Sequence, residues 1–166
     1  MAMNALTRLA CGAALAASLL ALPLQAATFQ GIVTHVTDGD SLWVRPLGGG
    51  APRELRLRDI DAPEICQAFG EQSRNALAAR VLHRQVTVRS RARDSYRRTL
   101  AQVSLDGEDV AAWMVGRGYA WSYRYRGRSG PLQAREEQAR HARLGLWASG
   151  PPIEPRVFRK QHGSCK

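Results

Sequence analysis

The chain has 166 residues, enough for one domain with a buried core, and 45% of them are hydrophobic, which excludes a mainly disordered polymer. Its 24 Lys and Arg stand against 14 Asp and Glu, a formal charge of +10 carried by Arg, since Lys occurs only at Lys160 and Lys166. Guanidinium forks pair with phosphates in a bidentate way, so a polyanionic partner is the first expectation.

Residues 1–26 have the layout of a secretory signal peptide. One positive charge, Arg8, precedes an apolar run from Leu9 to Leu22, and Pro23 with the small residues Ala26 and Ala27 supplies the break for cleavage. The run of about 14 residues falls short of the roughly 20 that span a bilayer, so export to the periplasm or the extracellular space without stable membrane insertion is expected. Cys11 would leave with this leader, and the remaining chain keeps a charge of about +9. Residues 27–149 then form the expected domain and 150–166 a C-terminal tail.

Residues 28–37 alternate apolar and polar side chains and end at Asp38-Gly39, a hairpin signal. Residues 41–44 alternate again before the glycine turn at 48–50. A third strand over 54–60 sets Leu55, Leu57 and Asp59 on one side and Arg56, Arg58 and Ile60 on the other. A helix over 71–82 follows, carried by Ala76, Leu77, Ala79, Val81 and Leu82. Strands over 86–91 and 100–105 complete a set of five, the first turning Arg89 and Arg91 to water and the second ended by Asp106-Gly107.

A short helix over 109–115 comes next, then a third that starts at Pro131 and stops before Gly145. Its Glu136 and Glu137 lie early and its Arg140 and Arg143 late, the order that the helix dipole favours. Leu132, Ala139, Leu144, Leu146 and Trp147 are expected to pack it on the strands. The tail, with Pro151, Pro152 and Pro155, reads as irregular. The expected class is a small α+β barrel.

Export would leave two cysteines, Cys66 and Cys165, in a compartment where disulfides persist. A bridge between them would tie the tail to the middle of the fold, and closing a loop of about 100 residues would stabilise by at most about 4.7 kcal/mol. Free thiols and a bridge to another chain stay open on the sequence.

Asp38-Gly39-Asp40 alone is an ordinary turn, and Asp61-Ala62-Pro63-Glu64 alone is a strand end with a stiff corner. Together they set Asp40 and Asp61 at ends of two strands, from which carboxylates can converge on one hard cation such as Ca2+, with Glu64 in the same mouth. Arg56 precedes Asp61 on its strand and Arg98 follows the turn at Asp94. A phosphodiester needs a cation and guanidinium forks around its developing charge, plus a carboxylate to position water. The four histidines, His35, His83, His141 and His162, have no ligand spacing that would support a zinc site.

Three blocks carry a resemblance: Gly31-x-Val33-x-x-Val36-x-Asp38-Gly39-Asp40-Ser41-Leu42, then Arg56-Leu57-x-x-Ile60-Asp61-Ala62-Pro63-Glu64, then Asp94-x-Tyr96-x-Arg98-x-Leu100-Ala101-x-Val103. In this order and spacing the chain resembles the thermonuclease family of staphylococcal-nuclease-like proteins over residues 28–147. The resemblance implies an α+β OB-fold, a five-stranded β-barrel with three α-helices, and a Ca2+-dependent hydrolysis of DNA and RNA that leaves 3′-phosphate ends. It implies Asp40, Asp61 and the carbonyl of Ala62 as metal ligands, and Glu64 as general base or water-orienting group. Arg56 and Arg98 would hold the phosphate, and Tyr96 and Tyr123 would contact nucleotide. Two positions depart from the family: Ser41 and Ala62 each stand where it has Thr, and the second loses a hydroxyl near the metal.

Aromatic and Arg residues interleave from Trp121 to Arg128, a pattern that suits base stacking and backbone tracking along a single strand, while core packing explains Trp121 equally well. A monomer acting on nucleic acid, single strands favoured, is therefore the expectation. A catalytically silent OB-fold binding module and a basic cell-surface protein are the other readings. Neither gives a reason for Asp40, Asp61, Glu64, Arg56 and Arg98 all to be present.

Overall fold

Strands with Val and Leu at their inward positions build the core. The computed structural model describes residues 27–94 and 98–165; the expected leader with Cys11, Tyr96 and the side chain of Arg91 lie outside the described residues. In chain order come β1 (Ala27–Val36), β2 (Ser41–Pro46), β3 (Arg53–Leu57), β4 (Ile60–Asp61), α1 (Gly70–Val81), β5 (Gln85–Arg93) and β6 (Thr99–Leu105). They are followed by β7 (Glu108–Asp109), α2 (Val110–Gly116), β8 (Trp121–Ser122), α3 (Gln133–His141), a 3-10 turn (Gly145–Trp147) and α4 (Pro155–His162).

β1 lies between β2 and β5, antiparallel to both; β3 adds to β2 and β6 to β5, again antiparallel. Parallel pairing of β3 with β6 closes the sheet. The result is the five-stranded closed barrel of an α+β OB-type fold. Inside it Val33, Leu42, Val44, Leu55, Leu57, Val86, Val88, Ala101 and Val103 are buried, each Leu contributing roughly 1.5–3 kcal/mol on removal from water. Leu77 and Val81 of α1 and Val110, Met114 and Val115 of α2 plug the barrel.

The inward residues of β1 are Gly31, Val33 and Val36, because a register shift between Val33 and His35 changes the phase of the alternation. A similar break divides the third expected strand. Asp59 adopts a left-handed φ of 69°, so the chain turns after Leu57, Ile60 swings inward and is buried, and β4 pairs with β8 instead of continuing β3.

Two expectations at the C-terminal end are corrected. The third helix begins at Gln133, two residues later than Pro131, and Leu144 is exposed, while Ala139, Leu146, Trp121 and Trp147 make a second small core. Glu136 lies in the first turn of α3 as expected, and it is also 1% exposed, its carboxylate accepting from the backbone N–H of Ser122 and from Arg124 and Arg140. The tail is not irregular throughout either. Pro155 opens a fourth helix, α4, against the three expected, because proline at a first helical position loses no hydrogen bond and its ring presets φ.

Candidate functional site

Strand register brings the first two site residues together. Ser41 pairs with Arg56 across β2 and β3, so Asp40, at the end of the turn before β2, lies beside the Arg56 guanidinium. The turn is held by the backbone N–H of Asp40 donating to Asp38 Oδ1 and that of Thr37 to the carbonyl of Ser41. It also packs tightly: a Cβ at Gly39 would stand 2.0 Å from Ser73 Oγ and 2.7 Å from the Cβ of Ala62. A side chain there would force the turn, or Ser73 and Ala62, to shift.

Arg56 joins two carboxylates. Its Nη1 donates to Asp40 Oδ1 at 2.7 Å and its Nη2 to Asp61 Oδ1 at 2.9 Å. The turn at Asp59 makes this reach possible, since it folds β4 back towards Arg56 and pairs Asp61 with Trp121. Asp40 is 2% exposed and Asp61 6%. Besides Arg56, Asp40 accepts from Ser41 Oγ at 3.0 Å and from the backbone N–H of Ala62 at 3.0 Å.

Glu64 follows the Pro63 corner. Its backbone N–H donates to Gln67 Oε1, and its carbonyl presses on the start of α1, where a Cβ at Gly70 would come within 2.0 Å. Arg56, Glu64 and Arg98 line one cleft of about 840 Å³, together with Tyr123. Arg98 is aimed by Asp94, which accepts from both its backbone N–H and its Nε. Tyr123 is 45% exposed and also lines a neighbouring groove of about 640 Å³ with Tyr125, Arg126 and Arg156. Arg124 lines the same groove while paired with Glu136 and Glu154, and Trp121 is buried edge-on against Trp147.

One site residue was not anticipated. Arg159 of α4 donates to Asp61 Oδ2 at 3.0 Å and Oδ1 at 3.2 Å, and to Glu64 Oε1 at 2.8 Å. The only sequence sign of it was the cysteine pair, and Cys66 and Cys165 are joined by a disulfide that brings the tail to the segment after Glu64.

Burial pushes the Asp40 carboxyl up to about 7, with Asp38 and Asp61 acting the same way against the attraction of Arg56. Burial works to lower the Arg56 pKa, yet Asp40 and Asp61 hold it above the ordinary guanidinium value. Arg159 is raised in the same sense by Asp61 and Glu64. Because folded Asp40 binds its proton more tightly than unfolded Asp40, its contribution to stability is full at acid pH and is lost as the pH rises through about 7. In the presence of chelator, thermal unfolding is therefore expected at a lower temperature at pH 8 than at pH 5. A hard divalent cation, by compensating the ionised carboxylate, should abolish the difference; an unchanged midpoint between the two pH values would contradict the shift.

The donor set fits such a cation. The buried carboxylates of Asp40 and Asp61 offer only oxygen, the preference of Ca2+ or Mg2+ rather than of zinc, and a cation there would take the place of guanidinium contacts that both now make. Among the described residues no group of three or more His, Cys, Asp or Glu side chains is gathered as a cage, so backbone and solvent oxygens would complete the shell.

Comparison with known proteins gives a consistent relationship. Residues 54–149 match the family described as staphylococcal nuclease homologue. Protein ParB of Escherichia coli is 41% identical over 160 residues, covering 90% of this chain and 89% of its own. A micrococcal nuclease of Shigella flexneri is 37% identical over 145 residues, 81% of this chain and 82% of its own. An uncharacterized endonuclease of Haemophilus influenzae is 36% identical over 129 residues, 78% and 72% respectively.

Proposed function

The chain belongs to the family of staphylococcal nuclease homologues, a nuclease family, and from that membership we propose an exported, Ca2+-dependent enzyme that hydrolyses DNA and RNA as a monomer, with single strands favoured and 3′-phosphate ends left. The observation that supports the reading is Arg56, which joins buried Asp40 and Asp61 and stands on the wall of a cleft that Glu64 and Arg98 also line. A binding module would have no use for buried carboxylates beside a polyanion, because they repel it. Export rests on the leader pattern of residues 1–26 and on the disulfide. Among the described residues no helix is long and apolar enough to cross a membrane.

Asp40, Asp61 and the Ala62 carbonyl would hold the cation, which when bound supplies positive charge to the phosphate as its charge develops. Glu64 orients water for attack at phosphorus and accepts a proton from it as the bond from phosphorus to the 5′ oxygen breaks, and the departing oxygen takes a proton from solvent to leave as a hydroxyl. Arg56 keeps N–H groups beyond the two that it gives to Asp40 and Asp61, and with Arg98 it pairs with the non-bridging oxygens, where charge grows most. Tyr123 offers its exposed ring to a neighbouring base.

The test is a nuclease assay on labelled single-stranded DNA across a Ca2+ titration, with a chelator control and a phosphatase step to read the ends. Chelator-sensitive cleavage to products that need phosphatase before 3′ extension is expected. Intact substrate at every Ca2+ concentration would overturn the enzyme and favour the silent binding module.

A further inference from the structure

Helix α4 sits on the candidate site with little to hold it there by burial. Of its residues only Pro155 is buried, Val157 is 43% exposed, and Phe158, half-buried, meets His162 of the same helix at a tilt. What fixes it is polar and covalent. At one end Gln67 donates to the carbonyl of Ile153, and Glu154 pairs with Arg124; at the other Cys165 is bonded to Cys66. Cys66 and Gln67 lie two and three residues past Glu64, so both ends of the helix are pinned to the segment that carries this carboxylate. Between the pins Arg159 covers both oxygens of Asp61 and one of Glu64.

We propose that α4 is a latch, in which Arg159 occupies the carboxylates that a divalent cation and the attacking water need, and must release Asp61 when the cation arrives. The inference rests on the proposed cation-dependent reading of this site and adds its regulation. A guanidinium and a metal ion are competing cations for the same Asp61 oxygens, so whatever stabilises the contact weakens metal binding by the same factor. The disulfide keeps Arg159 at high local concentration, which is how a partly exposed ion pair, weak on its own, becomes an effective competitor. Sparse apolar contact makes the helix the low-stability element that such a switch requires.

Calorimetric titration of the purified chain with Ca2+ alone tests this without substrate. Arg159→Gln is expected to tighten Ca2+ binding by about tenfold, the scale of one charge-assisted contact, and Arg159→Lys to lie between it and the parent. Thiol-reduced parent protein, which carries no substitution, should shift in the same direction. Hydrogen exchange over residues 156–163 should quicken when Ca2+ is added to the oxidised parent. Unchanged or weaker Ca2+ binding in Arg159→Gln, or slower exchange in α4 on Ca2+ addition, overturns the latch. If the parent binds Ca2+ and cuts DNA while the variant matches it, the latch alone falls. If neither binds Ca2+, the cation-dependent reading falls and the latch with it.

Discussion

Glu64→Gln is expected to lower the single-turnover rate by about 10²- to 10⁴-fold, the range of a positioned general base, while leaving DNA affinity within a factor of about two. The variant is nearly isosteric. Its backbone contacts to Gln67 and Gly70 do not involve the carboxylate, and a Gln oxygen can still accept from Arg159. Under the proposed function, binding comes from Arg98, Arg56 and the ring of Tyr123, none of which the substitution touches. What is lost is the capacity to take a proton from water, so the deficit should appear in kcat and not in KM. Single-turnover kinetics beside a filter-binding titration separate the two. A rate within a few fold of the parent would remove Glu64 from its role and leave water activation to another group.

The parts of the fold that the sequence made legible share a cause. Val86 and Val88, Leu55 and Leu57, and Val103 and Leu105 are inward residues two apart, and the barrel needs nothing else from them. What was hidden depends on a conformation that no residue type announces. The turn at Asp59 uses a non-glycine residue at positive φ, so the strand seemed to run on to Ile60 when it had already ended. The burial of Glu136 is hidden in the same way, because Ser122 and Arg124 become its neighbours only when β8 and α3 pack, while Arg140 is one turn along its own helix.

The site divides in the same way. Asp40, Arg56, Asp61 and Glu64 lie within two short blocks at fixed spacing, and register across β2 and β3 is a local matter. Arg159 is almost a hundred residues from Asp61 and belongs to a tail with three prolines close together. Nothing local separates it from Arg156, which points to the groove. Only the cysteine pair linked the tail to Glu64, and a pairing alone does not say which arginine arrives.

Arg56→Gln should destabilise the metal-free protein by about 3–5 kcal/mol, because it leaves buried Asp40 without a guanidinium partner and Asp61 with Arg159 alone. The geometry makes the case: one fork bonds Asp40 through Nη1 and Asp61 through Nη2, and the Asp40 carboxyl is already pushed up towards neutrality by burial even with the arginine in place. Ca2+ binds the same carboxylates under the proposed function, so it should recover much of the loss in urea unfolding, while hydrolysis stays depressed because the phosphate still lacks its guanidinium. Arg56→Lys separates charge from shape. A lysine restores a positive charge but cannot present two fixed parallel donors to two acids, so it should regain most of the stability and little of the rate. An Arg56→Gln protein as stable as the parent in chelator would mean that Asp40 needs no counter-charge there. A Lys variant with full activity would mean that charge alone suffices, and the fork would lose its place in catalysis.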